Sequence, residues 1–412
     1  MTFKKCLLAC TYMLAAASNL AGAQTQGISK TEITLGSIQD LSGPLASIGK
    51  PVRQGLQMRI DELNELGGVN GRKIKLVLED SGYDVKRGVL AAQKLANQDR
   101  IFAMLGHVGT ASNIAAMPIL FERNIINFYP MAAAREMYEP LNRLKVAFLP
   151  NYFDQMRVAA PRLVKENNLK KPCIVYQDDE FGLEILRGTE AGLKSINTEL
   201  VEKTTYKRGA TDFSSQVARM KAAGCDLVVL GTIVRETVGV MAEARKLGLN
   251  AVFITTVGAY SDVVQRLGGK AVEGLYATMT AQIPYADDST QQVRHWVAKF
   301  RTRFNEEPTE YAVYGYHMMD AFIRVAQKAG PDLTTDSFIK ALESTVIPRD
   351  IFGIMEATYS PTKRLGNPYS RLSQLQDGRW RVVSDYVRFN ELKFEVQKDG
   401  TAKVVSDQFK AK

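Results

Sequence analysis

The sequence predicts an α/β protein built from two mainly parallel sheets with helices on both faces. Three observations predict it. Short apolar strands alternate with amphipathic helices from residue 32 to residue 256. The strands read as continuous apolar runs, the pattern of a sheet buried on both sides. The rhythm comes in two series that break near Pro150.

The first series opens with a strand over residues 32–38. A helix over 50–66 places Val52, Leu56, Ile60 and Leu63 on one face and stops at Gly67-Gly68. Residues 73–79 alternate, with Ile74, Leu76 and Leu78 on one side. Asp84 caps a helix carrying Val85, Val89, Ala92 and Leu95. Residues 101–105 form a short strand, Thr110 opens the next helix, and 125–129 form another strand. The second series has strands at 173–176, 200–206, 227–230 and 252–256. Its helices lie at 183–194, 213–223 (capped by Asp212, ended by Gly224) and 236–247. After Pro284 the pattern changes to helices over 290–304, 311–328 and 336–342. From Phe352 it reads as short strands, with a hairpin turn at Asp377-Gly378 before Trp380. A late helical block followed by late strands returns the chain to both earlier sheets.

With 412 residues, 45% hydrophobic and 24% charged, the chain supports two or three domains with sizeable cores. The formal charge of +9 is scattered, so a nucleic-acid partner is not expected. Lys4 and Lys5, an uncharged run over 6–17 and Ala21-Gly22-Ala23 read as a cleaved secretory signal peptide, residues 1–23, cut between Ala23 and Gln24. The run is too short to cross a bilayer. The leader takes both its lysines with it, leaving +7 on an exported, soluble chain. Cys173 and Cys225 remain, each at the start of a strand. They read as two buried thiols, with a disulfide as the alternative that the compartment allows.

Catalytic and metal motifs are missing from the pattern. His107, His295 and His317 have no metal-ligand spacing, and no nucleophile elbow, P-loop or His-Glu-x-x-His occurs. No metal, cofactor or enzymatic activity is expected. Asp178-Asp179-Glu180 reads as a solvated strand-to-helix turn. In doubly wound folds ligands sit at the carboxyl ends of the strands. There, Gly106-His107-Val108-Gly109-Thr110 offers backbone N–H groups and a hydroxyl at a helix N-terminus, a place for a carboxylate. The plainer alternative makes Thr110 an N-cap only.

Several motifs occur in a fixed order: Ile33-Thr34-Leu35-Gly36, Leu41-Ser42-Gly43-Pro44, Gly67-Gly68-Val69-Asn70-Gly71-Arg72-Lys73-Ile74, Lys94-Leu95, the 106–112 loop, Gly209-x-x-Asp212-Phe213-Ser214, Ala223-Gly224-x-Asp226 and Gly248. Together they resemble the periplasmic binding proteins of ABC importers for branched-chain amino acids, the leucine/isoleucine/valine-binding family. The resemblance spans nearly all of the mature chain. It implies a type I periplasmic binding protein, with two Rossmann-like lobes joined by three crossover strands near Pro150, Pro284 and Gly353. Lobe I would take residues 24–149 and 285–352, and lobe II residues 150–284 and 353–412. It also implies a periplasmic monomer, without a cofactor, that hands a small-molecule ligand to a membrane permease. A ligand-sensing receptor of the same fold, acting through a signalling partner, is the alternative.

The resemblance places a ligand site position by position. His107 lies in the loop before Thr110, whose hydroxyl would bind the ligand carboxylate, and backbone groups at Met131, Ala132 and Ala133 would add to it. Ile48 stands where the family often has a covering aromatic. Phe181 and Ile233 would come from lobe II, and Tyr311 would supply a further wall. Val257 departs most from the pattern, because the family places a carboxylate there to pair with the α-ammonium; Glu236 or Asp262 are the possible substitutes. The expected ligand is therefore a small carboxylate with an apolar body, either an amino acid or a related aromatic or branched aliphatic acid without the α-amine.

Overall fold

The computed structural model describes residues 25–388 and, beyond them, the backbone of two paired strands, 393–396 and 402–406. The expected signal peptide and its cleavage point lie outside the described residues, as does most of the C-terminal tail expected to belong to lobe II.

The chain first lays down β1 (Glu32–Gln39), α1 (Ala46–Glu65), β2 (Lys73–Asp80), α2 (Val85–Asn97), β3 (Ala103–Leu105), α3 (Thr110–Glu122), β4 (Ile126–Phe128) and β5 (Lys145–Val146). It continues with α4 (Tyr152–Glu166), β6 (Pro172–Gln177), α5 (Glu180–Lys194), β7 (Glu202–Tyr206), α6 (Ser214–Ala223), β8 (Leu227–Gly231), α7 (Val234–Leu247), β9 (Val252–Thr255), α8 (Asp262–Gly268) and β10 (Tyr276–Met279). Three helices follow, α9 (Gln291–Phe304), α10 (Glu310–Ala329) and α11 (Thr335–Glu343), and then β11 (Tyr369–Gln376), β12 (Arg379–Val382) and β13 (Val387–Arg388).

These elements form two sheets. The first is all parallel, in the order β2-β1-β3-β4-β5. The second runs β12-β11-β10-β9-β8-β6-β7, with β13 beside β11; β11, β12 and β13 pair antiparallel and the rest are parallel. Each order reverses once, between β1 and β3 and between β6 and β8. Such switch points leave a crevice at the strands' carboxyl ends.

The late helices complete lobe I. The α10 helix packs on α1 so closely that a Cβ at Gly55 would stand 2.0 Å from the Ala312 carbonyl oxygen, and one at Gly315 2.2 Å from that of Val52. Only glycine permits that approach. Phe102, Phe128, Phe322 and Phe338 meet edge-on or stacked at centroid separations of 5.0 to 6.3 Å, tying β3 and β4 to α10 and α11. In lobe II the expected hairpin forms, and the Trp380 indole N–H donates to the Ser261 carbonyl at 2.9 Å.

Three expectations change. Cys173 and Cys225 form a disulfide, not two free thiols: β6 and β8 are neighbours in the sheet, which holds the two Cα atoms 5.9 Å apart, within bridging reach. The first helix begins at Ala46, so Pro51 is its sixth residue and lies inside the helix, not at its first position. The final return to lobe II falls later than Gly353. Residues after it still belong to lobe I: Ala357 pairs with Ile347, Leu365 with Ala147, and the Tyr359 hydroxyl donates to the Ala147 carbonyl at 3.0 Å. The first strand of lobe II beyond that point is β11 at Tyr369.

Candidate functional site

A cavity lies between the lobes, lined by residues at the carboxyl ends of strands from both sheets. Lobe I contributes Leu45 and Ile48 after β1, Tyr83 after β2, Val108, Gly109 and Thr110 after β3, and Met131 after β4. Lobe II contributes Phe181 after β6, Ile233 after β8, and Val257 and Gly258 after β9. Leu149 and Tyr152 enter from the first crossover, and Tyr311 from the start of α10.

Seven of the ten expected site residues line this cavity: Ile48, Thr110, Met131, Phe181, Ile233, Val257 and Tyr311. His107, Ala132 and Ala133 do not. All three are buried. The His107 carbonyl accepts from the Met131 N–H at 2.9 Å, and the Ala133 carbonyl from that of Tyr152 at 2.6 Å. Complete burial pushes the His107 imidazole down to about 3, so the ring is neutral and brings no cation to the site. Leu45, Leu149 and Tyr152 were not anticipated; Val108 and Gly109 lie in the 106–110 segment expected to meet a carboxylate, and Gly258, like Tyr83, stands in a loop at a strand's carboxyl end.

The wall divides chemically. On lobe I, α3 begins without a side-chain cap, because the preceding residue is Gly109 at φ +99°. Thr110 is therefore the first helical residue and not the cap. A Cβ at position 109 would sit 3.2 Å from the Tyr83 ring. Among the described residues, no acceptor meets the N–H groups of Thr110, Ala111 and Ser112, so they remain at the positive end of the helix dipole. The Thr110 hydroxyl lies beside that of Tyr152, whose phenol burial pushes up to about 12. Tyr152 meets the Phe181 ring edge-on at 5.0 Å. On lobe II, Phe181, Ile233 and Val257 present carbon.

No residue lining the cavity is charged. Neither substitute for the missing carboxylate reaches it. Glu236 is buried on α7, where desolvation raises its carboxyl to about 7. Asp262 heads α8 and pairs with Arg266. The acidic run at Asp178 serves structure: Asp179 caps α5 by accepting from the Phe181 and Gly182 N–H groups.

The lobes are closed on one another. Tyr83 holds a left-handed backbone (φ +60°) that a bulky side chain adopts only when its surroundings impose it. Those surroundings come from lobe II. Gln177 Nε2 donates to the Tyr83 hydroxyl at 2.9 Å, Arg208 Nη1 donates to its carbonyl at 2.8 Å, and the guanidinium lies 4.2 Å from the ring centroid. Asp179 fixes Arg208 at 2.6 Å. Elsewhere Arg135 grips the buried Glu184 through two bonds of 2.7 and 3.1 Å, and the Tyr311 hydroxyl donates to the Gly258 carbonyl at 3.2 Å.

Comparison with known proteins places this architecture. A family profile described as "Periplasmic binding protein" matches residues 32–379. The chain is 27% identical to an amino acid binding protein of Pseudomonas aeruginosa over 317 residues, 76% of this chain and 83% of that protein. It is 30% identical to the Leu/Ile/Val-binding protein of Citrobacter freundii over 247 residues, 60% of this chain and 67% of that one. Among solved structures, a fatty acid ABC transporter substrate-binding protein from Thermomonospora curvata superposes with a TM-score of 0.79 at 20% identity, covering 89% of this chain and 95% of the other. The last is a likeness of fold.

Proposed function

Because the chain belongs to the periplasmic binding protein family and so has a solute-binding role, we propose that its ligand is a small carboxylic acid with a branched or aromatic apolar body and no α-ammonium. The observation that carries this reading is the uncharged wall. An ammonium enclosed there would lose its water without gaining an anionic partner, at a cost of several kcal/mol. A carboxylate has donors to meet: the open N–H groups of α3 and the Thr110 hydroxyl. Ile48, Met131, Phe181, Ile233, Val257 and Tyr311 then receive the apolar body.

Capture proceeds by closure. Residues of both lobes line the cavity, so a ligand gains contacts in the closed form that the open form cannot give, and the population shifts by that difference. Tyr83, Gln177 and Arg208 form the closing contact at the rim. The closed monomer, exported to the periplasm after cleavage at Ala23, presents the ligand to a membrane permease.

A second reading follows from the names of the relatives, which bind amino acids. A thermal-shift screen pairing each amino acid with its des-amino acid separates the two. Stabilisation by the des-amino member of a pair supports the proposal, and stabilisation by amino acids alone overturns it.

A further inference from the structure

Beside the interlobe bond from the Tyr311 hydroxyl to the Gly258 carbonyl (3.2 Å), one carboxyl from each lobe feels the charge of the other. Glu310 opens α10 of lobe I and Asp262 opens α8 of lobe II. Glu310 is fully buried, and no group meets hydrogen-bond geometry to either of its carboxylate oxygens; the same holds for Asp262 Oδ1. Neither carboxyl lines the ligand cavity. Glu310 has no role in ligand contact, and a buried, unpartnered carboxylate is costly to ionise.

We propose that closing the lobes takes up one proton, held by the Glu310–Asp262 pair. The proposal rests on lobe closure and not on which ligand is bound. Opening the lobes would part the two carboxyls and admit water between them, so that both ionise. In the closed form water is expelled, and two like charges cannot share the site.

The surrounding groups bear this out. Burial is the largest influence on Glu310, and the Asp262 charge is the next; both push its carboxyl well above the ordinary range. Burial likewise raises Asp262, and Glu307 adds to that. Arg266 pulls the other way but is engaged with Asp262 on its own helix, and Glu307 is itself paired with Arg301. Ser261 adds a hydroxyl beside Glu310. The remaining titratable neighbours are Tyr260, Tyr285, Tyr311 and Tyr314, all raised by burial and neutral. Among the described residues, no lysine or histidine is among the strongest influences on the pair.

The sign follows from the direction of the shift. Below the ordinary Glu value of 4.5 both forms carry the proton, and closure does not depend on pH. Above it the open form loses the proton first, so closure weakens as pH rises, by up to about tenfold per pH unit, and levels off once the closed pair has also ionised. Glu139 and Glu236, each raised to about 7 by burial, respond in the same window, so the assignment is made by difference.

Small-angle scattering of the ligand-free mature chain between about pH 5 and pH 8, for the wild type, Glu310→Gln and Asp262→Asn, tests this. Expected is a radius of gyration that shrinks on acidification in the wild type and varies much less with pH in Glu310→Gln, which stays closed at high pH. Equal pH dependence in wild type and Glu310→Gln overturns the proposal, as does a wild type without any. Melting curves of both variants check that they fold. Calorimetry of leucine and of 4-methylpentanoate in buffers of different ionisation enthalpy adds a second reading. Which acid binds judges the ligand proposal, and the protons taken up per event judge this one: about one in the wild type, near zero in Glu310→Gln.

Discussion

The two walls of the cleft are built by the same βα device and do opposite things. On lobe I the loop after β3 ends in Gly109, which leaves a helix N-terminus uncapped and facing the cavity. On lobe II the loop after β6 ends in Asp179, which caps its helix and turns to Arg208. The loop after β3 therefore keeps its donors free, while the loop after β6 satisfies its own and brings Phe181 to the wall; α7, behind Ile233, starts without a side-chain cap as α3 does. The difference comes down to a residue or two at each strand end.

Substitutions that blur this division should have graded effects. The largest is expected from Val257→Asp, which puts a charge on the apolar wall. Carboxylates without an amine should lose about 3–5 kcal/mol of binding, and leucine should gain relative to 4-methylpentanoate; competition between the two acids reads this directly. Thr110→Ala removes a donor from the polar wall and should weaken carboxylates by about 1.5–3 kcal/mol, but the matching neutral amide by less than half as much. An equal loss for acid and amide would falsify the assignment of charge recognition to lobe I. Phe181→Ala should cost about 1.5 kcal/mol for large apolar ligands and little for propionate, because what is lost is buried area. The smallest effect is expected from Arg208→Ala. It should lower affinity by about 1 kcal/mol for every ligand alike, since Arg208 acts on closure at the rim; a titration series showing selectivity for one ligand class would move Arg208 into the site proper.

Much of this was legible in the sequence. The alternation of strands and helices marked out both sheets, because apolar runs buried on two faces leave an unmistakable pattern. Strand-end position alone pointed to most of the cavity wall. What escaped depended on partners distant in sequence. The Cys173–Cys225 bridge required knowing that β6 and β8 are neighbours although β7 lies between them in the chain. Tyr83 acquires its role only from Gln177 and Arg208 across the cleft. His107 looked exposed to ligand because it sits in the right loop, but the backbone turns its ring into the core. Residues 354–366 read as short strands of lobe II, but they form only isolated bridges, and their attachment to lobe I is seen in the hydrogen bonds around Ala147.

The central claim is that the anion half of an amino-acid site is present and the cation half is missing. Isothermal titration of the mature protein with leucine and with 4-methylpentanoate, at one pH and salt concentration, tests it most directly. The account predicts that 4-methylpentanoate binds and that leucine binds at least about a hundredfold more weakly, the factor expected when an ammonium is buried without a partner. Tight binding of leucine with no binding of 4-methylpentanoate would contradict it.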